Sequence, residues 1–542
     1  MDLPDHLIKS AEQELRTLDA KRSELLTRIA ELKQSLSNSD LKSSPPVDPP
    51  LPHTKPTDNL VTGKSPTQSK IALFRSLFRG REDIFPRRFE SVKTGKSGYQ
   101  PACRNEWVKG VCRKPAIKCN ECTSRVFIPL SDEIIRNHLI GHNPADRYKK
   151  DFTIGVYPLL PDSTCRFLAV DFDKSSWQED AVAFLDKYRS MDIPAVLERS
   201  RSGAGGHIWI FFSEPVPAVT ARRMGSFLLT EVMEERPEIG FDSYDRLFPS
   251  QDTIPNENNG FGNLITLPFQ KLPAEKGNSL FIDDAMQPYN DQWQFLSAVK
   301  KMERVNVEAI ANDAARKGRI IAVRMAVTDE DDDKPWTVPP SGKSEDKKIT
   351  GPLPDHLQLV LGDQLYIPKE NLSPQLRNRL IRIPAFQNPE FYRAQAIRMS
   401  TFGKPRIISC CEDHRHHFAL PRGSLGEVTA FLDTTGINHT LQDERFGGTP
   451  VQCVFHGELR PEQTLAANAL LNHDTGVLSA GTAFGKTVIA AFIIAQRGVN
   501  TIILVNRTQL LHQWMERLRT FLELPKNSIG QIGSGKKNRQ GS

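Results

Sequence analysis

The stretch FLAVDFD, residues 167–173, decides the fold of the central part of the chain. Four apolar residues lead into two aspartates, Asp171 and Asp173, which Phe172 separates. Side chains alternate along a β-strand, so both carboxylates are expected on one face, about 7 Å apart at the backbone. Adjacent carboxylates repel each other unless a divalent cation bridges them. The pattern is typical of a strand end that binds Mg²⁺ or Mn²⁺, although D-x-D alone is a weak motif.

A glycine-rich turn, SRSGAGGH at residues 200–207, follows about thirty residues later. Its glycines allow a tight turn whose backbone amides are open to phosphate. The turn delivers His207 to a second strand, IWIFF, in which Trp209 and Phe211 are predicted on one face. The downstream segment GFDSYDRLFPSQDTIP offers a third acid and a nearby cation. The candidates for the third metal ligand are Asp242, Asp245 and Asp252, and Arg246 follows Asp242 by four residues.

Four cysteines crowd into residues 103–122, CRNEWVKGVCRKPAIKCNEC. Their spacing, C-x8-C-x6-C-x2-C, ends in a knuckle that can bind one ion, and two further thiolates complete a tetrahedral zinc site. Interspersed lysines and arginines would offset the negative charge of the thiolates. The predicted zinc ligands are Cys103, Cys112, Cys119 and Cys122. The other cysteines, Cys165, Cys410, Cys411 and Cys453, are predicted to be core residues.

The order D-x-D, S-G-x-G-x-H, then an acid followed by Arg resembles the archaeo-eukaryotic primase superfamily. Four features resemble the primase–helicase proteins of TOTE conflict systems: the four-cysteine knuckle and the segments YDRLFPSQDTIP, GNLITLPFQ and NPEFYRAQAIRMST. The resemblance covers roughly residues 70–535. It implies an α+β primase–polymerase domain, with an RRM-like antiparallel sheet that carries the catalytic acids and packs against a zinc module.

The resemblance also implies roles for individual residues. Asp171 and Asp173 match the metal-binding pair, and Asp242 matches the third acid better than Asp245 does. His207 matches the histidine that contacts the phosphates of the incoming nucleotide, and Arg246 would contact the triphosphate. The implied nucleotide-binding set is Ser202, Gly203, Gly205, His207 and Arg246. The implied cofactors and partners are catalytic Mg²⁺ or Mn²⁺, structural Zn²⁺, NTP or dNTP substrates and a single-stranded DNA template.

Residues 480–487, AGTAFGKT, form a candidate P-loop near the end of the chain. The apolar segment GVLSA before it is predicted to be a strand, and VIAAFIIAQR after it a helix, which is the context that a P-loop needs. TIILV at 501–505 is predicted to be a second strand of an incomplete RecA-like α/β half-domain. The predicted phosphate-binding residues are Gly481, Thr482, Gly485, Lys486 and Thr487.

No aspartate follows Thr487, so no Walker-B acid is available to hold Mg²⁺ at this P-loop. The resemblance is to the start of a superfamily 2 helicase whose later motifs are missing. We therefore expect a truncated or fragmentary chain that is not a helicase by itself, with ATP binding at the P-loop still possible.

The composition of the 542 residues sets the remaining expectations. A net charge of +6 permits nucleic acid as a partner. No window of 18 apolar residues exists, so no membrane span is predicted and a cytoplasmic, nucleoid-associated protein is expected. The predicted divisions are a coiled coil at 6–37, a disordered linker at 38–68, the zinc module and primase-like domain at 70–325, an acidic linker at 326–350, a helicase accessory domain at 351–458 and the truncated helicase lobe at 459–542.

Two segments leave alternatives open. The heptad pattern at 6–37 suits either a homodimeric coiled coil or one amphipathic helix docked on its own chain. The basic and aromatic residues of 377–404 suit either nucleic-acid contacts or a solvated face over a core. The basic residues are Arg377, Arg379, Arg382, Arg393, Arg398 and Lys404, and the aromatic residues are Phe386, Phe391 and Tyr392.

Three functions compete on the sequence. The first is a primase–polymerase that joins nucleoside triphosphates on single-stranded DNA. The second is a catalytically idle, zinc-containing DNA-binding module that recruits DNA to a helicase or nuclease partner. The third is a D-x-D nuclease. The S-G-x-G-x-H turn argues for the first, since neither binding alone nor hydrolysis requires a triphosphate site.

Overall fold

The computed structural model describes Arg28 and residues 60–91, 95–146, 151–254, 260–321, 323, 349, 351–524, 528–533 and 536–538. Apart from Arg28, the predicted coiled coil lies outside these residues, as do most of the first linker and nearly all of the acidic linker. The elements of 60–321 are α1 (Thr67–Leu77), β1 (Pro86–Glu90), β2 (Ser97–Pro101), α2 (Asp132–Ile140), β3 (Gly155–Val156), β4 (Thr164–Phe172), α3 (Trp177–Ser190), β5 (Val196–Arg199), β6 (Gly206–Pro217), α4 (Ala218–Met233), β7 (Leu247–Phe248), β8 (Ile265–Thr266), α5 (Lys271–Ala274), β9 (Leu280–Ile282), α6 (Gln292–Ser297) and α7 (Arg304–Arg316).

A five-stranded sheet in the order β7-β4-β6-β5-β9 organises this region. Every neighbouring pair in it is antiparallel. The long strands β4 and β6 lie side by side at its centre, and their register places Asp171 opposite His207. The antiparallel sheet predicted for the primase-like domain is therefore present. The D-x-D motif and the glycine-rich turn lie at the same end of the paired strands β4 and β6.

Strand alternation divides the sheet into two apolar faces. On one face Ile208, Ile210 and Phe212 are buried with residues of α3, α4 and α7. On the other face Trp209 and Phe211 are buried with the apolar side of α1. The assignment of residues to faces that the sequence predicted for β6 is confirmed. Asp171 belongs to the second face, at the end where its apolar residues give way to charged ones.

A second region follows, whose elements are β10 (His356–Leu361), β11 (Leu365–Pro368), α8 (Pro374–Arg382), β12 (Phe386–Gln387), α9 (Pro389–Ala396), β13 (Ile407–Ile408), β14 (Glu412–Asp413), β15 (His417–Leu420), α10 (Leu425–Thr435) and β16 (Asn438–Asp443). It contains a second five-stranded sheet in the order β14-β15-β11-β10-β16. The core of this sheet is formed mainly by leucines and isoleucines of β10, β11 and the two helices α8 and α10.

The excursion from β12 to β13 leaves this second sheet and packs against the primase-like region. Ala385 and Ile407 are buried in the same core as α3 and α4. Arg382, at the end of α8, donates to the Ile321 carbonyl and, at 3.2 Å, to the Tyr244 hydroxyl. Residues on both sides of the predicted acidic linker at 326–350 therefore share one hydrophobic core, and the predicted domain boundaries stay a prediction.

Several of the basic residues considered for nucleic acid have structural partners instead. Arg377 pairs with Glu238 at 3.2 Å, and Arg379 lies 3.5 Å from Glu234. Arg382 is buried. These three arginines thus help to attach the second region to the first, and the nucleic-acid interpretation of the segment 377–404 stays a prediction.

The C-terminal part contains helices on either side of the candidate P-loop, but the predicted RecA-like strands are absent from its described residues. Val477, Ile502 and Leu504 are about nine-tenths exposed. Neither GVLSA nor TIILV forms a strand, because an extended segment needs neighbouring strands to pair its backbone. The elements here are β17 (Val454–Phe455), α11 (Pro461–Leu471), α12 (Lys486–Arg497), α13 (Thr508–Phe521), β18 (Leu522–Glu523), β19 (Gln531–Gly533) and β20 (Lys536–Asn538).

The cysteines outside the knuckle differ from one another. Cys165 is fully buried, as predicted. Cys410 is exposed, and Cys411 and Cys453 are half-buried, so the prediction of core positions for these three is wrong. Among the described helices, none combines the length and the apolar character that a membrane span requires.

Replacing Arg382 with Ala should destabilise the contact between the two regions. The change removes the donor to the Ile321 carbonyl and the Tyr244 hydroxyl, at a cost of about 2 kcal/mol for charged hydrogen bonds in a buried site. We expect the thermal unfolding midpoint of the full chain to fall by several degrees. Lys300→Ala, at an exposed position, is the control. An unchanged midpoint for Arg382→Ala would contradict this role.

Candidate functional site

Three carboxylates surround one guanidinium at the end of β4. Arg246 Nη1 lies 3.8 Å from Asp171 Oδ2 and also contacts Asp173 Oδ2. Arg246 Nε lies 3.7 Å from Asp242 Oδ2. The Asp171 backbone N–H donates to the Arg246 carbonyl at 3.1 Å, which fixes the arginine beside the strand. The structure thus places three carboxylates, those of Asp171, Asp173 and Asp242, around the same guanidinium, and we call these three residues the acid centre.

Lys174 joins this acid centre. Its Nζ donates to Asp242 Oδ1 at 2.8 Å. A Cβ at Gly240 would lie 2.6 Å from that oxygen and 3.0 Å from Lys174 Nζ, so any larger residue would disturb the pair. Two basic side chains, Lys174 and Arg246, therefore face the three carboxylates, and only Arg246 was expected there from the sequence.

The other two candidate acids face elsewhere. Asp245 accepts hydrogen bonds from the Arg406 backbone N–H at 3.1 and 3.2 Å, and burial raises its pKa. Asp252 lies 3.3 Å from the Arg222 Nε and accepts a hydrogen bond from Gln395 at 2.7 Å. Of the three candidates, only Asp242 stands with Asp171 and Asp173. The 3₁₀ turn Phe241–Asp245 separates the directions of Asp242 and Asp245.

A buried ion pair supports His207. Glu198, opposite His207 on β5, is 1% exposed, and its Oε2 lies 3.0 Å from His207 Nδ1. The same oxygen accepts a hydrogen bond from Trp209 Nε1 at 2.9 Å. His207 Nε2 lies 3.7 Å from Asp171 Oδ1. Nδ1 is thus held by Glu198, and Nε2 is directed toward the acid centre.

Electrostatics of this pair favour the charged imidazolium. Burial alone would lower the pKa of His207, but the charge and hydrogen bond of Glu198 outweigh it, and Asp171 adds to the rise. The net result is a raised pKa for His207. For Asp171, burial raises the pKa; His207 and Arg246 oppose that shift and Asp173 adds to it.

The glycine-rich turn packs directly on the end of β4. A Cβ at Gly205 would lie 2.5 Å from the Phe172 carbonyl oxygen, and one at Gly206 would lie 2.7 Å from the Trp177 ring. Gly203 has a φ of +78°, which favours glycine. Ser202 Oγ accepts a hydrogen bond from the Ala204 N–H at 3.2 Å. These contacts hold the turn against the acid centre.

In the candidate P-loop, the lysine side chain is hydrogen-bonded to carbonyls of the loop itself. Lys486 Nζ donates to the carbonyls of Ala480 and Gly481 at 2.7 and 2.9 Å. Gly485, with a φ of +95°, begins α12, and the Gln463 side chain donates to the Phe484 carbonyl at 2.7 Å. Thr482 lies in the turn before Gly485, and Thr487 in the first turn of α12. The loop and the N-terminus of α12 are thus adjacent, as in a P-loop, but the strand expected before the loop is not formed by residues 476–480.

Comparisons with known proteins match the two parts of the chain in which these sites lie. Residues 69–310 match the model of the archaeo-eukaryotic primase domain of TOTE conflict systems. Residues 456–542 match the model of the res subunit of type III restriction enzymes. The chain joins a TOTE-type primase domain to a helicase-like segment. This combination supports a primase–helicase protein of conflict systems.

One curated relative supports the helicase-like part. The chain is 36% identical over 73 residues to the DNA 3'-5' translocase XPB2 of Sulfurisphaera tokodaii. The match covers 14% of this chain and 17% of the relative. The chain therefore spans less than a fifth of the length of that relative.

In the primase domain, the four cysteines of the knuckle line one pocket. The Val126 N–H lies 3.3 Å from Cys103 Sγ, and backbone hydrogen bonds from Lys114 and Trp107 lower the pKa of Cys112. Thiolates are the donors that zinc prefers. Within the described residues, however, no three His, Cys, Asp or Glu side chains are close enough together to hold a metal ion.

His138 is excluded from metal binding by its surroundings. Its Nε2 donates to the Pro268 carbonyl at 2.8 Å, while Nδ1 accepts from the Ile154 N–H at 3.3 Å. Burial lowers the pKa of His138 to about 4. His138 is therefore a neutral residue of the primase-domain core, with both ring nitrogens hydrogen-bonded.

Sequence reasoning missed Lys174 and Glu198. Lys174 directly follows the D-x-D motif in sequence, but the sequence does not show that its partner is Asp242. Glu198 lies in the short strand VLER, where an acid among apolar residues indicates a buried partner. The register between β5 and β6 is needed to identify that partner as His207.

Replacing Glu198 with Gln should lower the pKa of His207. The neutral amide removes the largest interaction that favours the imidazolium, while the burial that disfavours it remains. His207 would then lose its proton at a lower pH than in the unaltered protein. Titration of the His207 ring protons by NMR measures the change. Glu370→Gln, at an exposed glutamate, serves as the control; an unchanged His207 titration in Glu198→Gln would disprove the pairing.

Proposed function

We propose that the primase domain joins nucleoside triphosphates on a single-stranded DNA template as a primase–polymerase. The convergence of Asp171, Asp173 and Asp242 beside His207 carries this proposal. Three carboxylates and an imidazolium at one end of the central strands suit a reaction in which a 3′-hydroxyl attacks a metal-bound triphosphate. A nuclease would have no use for the triphosphate-binding turn.

The nucleotide would be held from the side of β6. His207, kept protonated by Glu198, offers Nε2 to a phosphate oxygen. The turn that contains Ser202, Gly203 and Gly205 lies beside it and offers backbone amides. Arg246 would exchange its contacts with the carboxylates for contacts with the triphosphate.

The acids would hold the catalytic cations. Carboxylate oxygens are the donors that Mg²⁺ and Mn²⁺ prefer, so the donor set of Asp171, Asp173 and Asp242 fits them. When bound, such ions lower the pKa of the attacking hydroxyl and neutralise the charge on the phosphates. Lys174 and Arg246 balance the same negative charge in the structure.

Two further ligands belong to the proposal. The four thiols of the knuckle fit a structural Zn²⁺ by their donor chemistry, and the ion would draw them together from the pocket that they share. At the P-loop, Lys486 would exchange its carbonyl contacts for phosphate oxygens of ATP. Thr487 would then hold the accompanying Mg²⁺.

Replacing Asp242 with Asn should abolish primer synthesis. The amide keeps the size of the side chain but removes one of three charges that hold the cations, so we expect a loss of ~100-fold or more. The measurement follows labelled oligomers made on single-stranded DNA with Mn²⁺ or Mg²⁺ and either NTPs or dNTPs. Asp171→Asn should behave alike, whereas Asp284→Asn, an exposed aspartate paired with Arg189, should not.

The outcomes separate the candidate functions. Oligomers that depend on triphosphates and vanish in Asp242→Asn support the primase–polymerase. Degradation of the template without triphosphates would support a nuclease. A folded protein that binds DNA but makes no product would support the idle module that recruits DNA for a partner.

Zinc content tests the knuckle separately from catalysis. The purified chain should contain one zinc per protein by elemental analysis, because four thiolates form a closed site. Cys119→Ser with Cys122→Ser should lose the metal and lower the thermal midpoint. Cys410→Ser, at an exposed cysteine outside the knuckle, should keep it. A wild-type chain purified with zinc in the medium yet free of metal would refute the zinc site.

A further inference from the structure

A wide groove runs between the cysteine knuckle and the excursion from β12 to β13. Its volume is about 730 Å³. One wall contains Lys118 and Asn120 of the knuckle, and the other is the loop 400–406. The floor is formed by the stretch around Ser250 and by residues 260–263. Three distant parts of the sequence therefore meet in one open site.

Phe402 projects from the loop with 95% of its surface exposed. The loop is fixed on both sides of it: Thr401 Oγ1 accepts from the Gln251 side chain at 2.8 Å, and Arg406 donates to the Ser250 carbonyl at 2.8 Å. Gly403, with a φ of +73°, completes the turn. The anchored neighbours hold the phenyl ring in solvent, where it gains nothing from core packing.

The other aromatic residues of this segment are not available in the same way. Phe391 lies beneath the buried Arg406 guanidinium, 4.2 Å from its ring centroid. Phe391 and Tyr392 contact each other at 5.2 Å. Phe402 is thus the ring on this loop whose face is free to stack on a planar ligand.

The groove also carries cations that the fold does not use. Among the described residues, neither Lys118 nor Lys404 has an ion pair; they lie on opposite walls, with Glu121 beside Lys118. Asp245, the other acid of the groove, is held by Arg406. Free ammonium groups beside an exposed ring are the combination with which proteins bind single-stranded nucleic acid.

The groove and the acid centre share one element, the 3₁₀ turn Phe241–Asp245. Asp245 lines the groove, while Asp242, three residues earlier in the same 3₁₀ turn, contacts Arg246. A strand lying in the groove would therefore run beside the turn that presents Asp242. The knuckle would form one side of its path and the second region of the chain the other.

We propose that this groove binds the single-stranded DNA template, with Phe402 stacking on a base and Lys118 and Lys404 contacting phosphates. The proposal rests on the proposed function and gives it a template path. It also assigns a template-binding role to residues 400–406, which lie beyond the segment that matches the primase domain.

Single-stranded DNA binding by the full chain tests the groove. Fluorescence anisotropy with a labelled oligonucleotide should show a Kd about 5- to 150-fold weaker for Phe402→Ala, corresponding to the ~1–3 kcal/mol of one base–aromatic stack. Phe402→Trp should bind like the unaltered chain. Phe446→Ala removes an equally exposed ring, 83% exposed, outside the groove and should have no effect.

A second pair of measurements distinguishes the template path from catalysis. Mn²⁺–dNTP binding in the absence of DNA should be equal in Phe402→Ala and the unaltered chain. An iodouracil-substituted template should crosslink to Phe402 on irradiation, with the adduct located by mass spectrometry.

The groove assignment is overturned if Phe402→Ala binds DNA as tightly as Phe446→Ala does and no crosslink forms at the loop. If the unaltered chain binds DNA through Phe402 but makes no oligomers, the groove is supported and the primase–polymerase fails. If oligomers form with equal efficiency in Phe402→Ala, the polymerase is supported and the template lies elsewhere.

Discussion

One row of charged side chains crosses the central sheet, and the candidate site depends on it. Strand pairing sets Glu198 opposite His207 and His207 opposite Asp171, and Arg246 follows beside Asp171. The charges alternate in sign along this row, so each member stabilises its neighbours. A shift of one residue between β4 and β6 would send Asp171 and His207 to opposite faces. The register of the sheet is therefore also the geometry of the site.

Because Glu198 and His207 are buried, the loss of either charge would leave the other one without compensation. Glu198 lies under Trp209, which it binds, in a core where an unpaired carboxylate would be costly. His207 compensates that charge on one side and keeps its second nitrogen for the acid centre. The same low-polarity surroundings strengthen each interaction compared with its value in water. The His207 imidazolium and the Asp171 carboxylate therefore already face each other before any ligand binds.

The sequence was informative where periodicity governs structure and less so where long-range packing does. Alternation along FLAVDFD and HIWIFF predicted the two faces of the sheet, because a strand has a fixed period of two. It could not separate Asp242 from Asp245, since a 3₁₀ turn points successive residues in directions that no simple period gives. Glu198 and Lys174 were missed because their partners are distant in sequence, His207 on β6 and Asp242 in the 3₁₀ turn. GVLSA was wrong as a strand, because an apolar segment becomes one only where neighbouring strands exist to pair with it.

The excursion from β12 to β13 links the second region to the acid centre. Arg382 lies 5.2 Å above the Phe241 ring and contacts Tyr244, so it touches both aromatic residues of the 3₁₀ turn. Arg406 holds Asp245 at the end of that turn. The turn that presents Asp242 is thus fixed from outside the segment that matches the primase domain. Both arginines belong to the region that precedes the helicase-like segment in sequence. The junction between the two parts is consequently a structural component of the candidate active site.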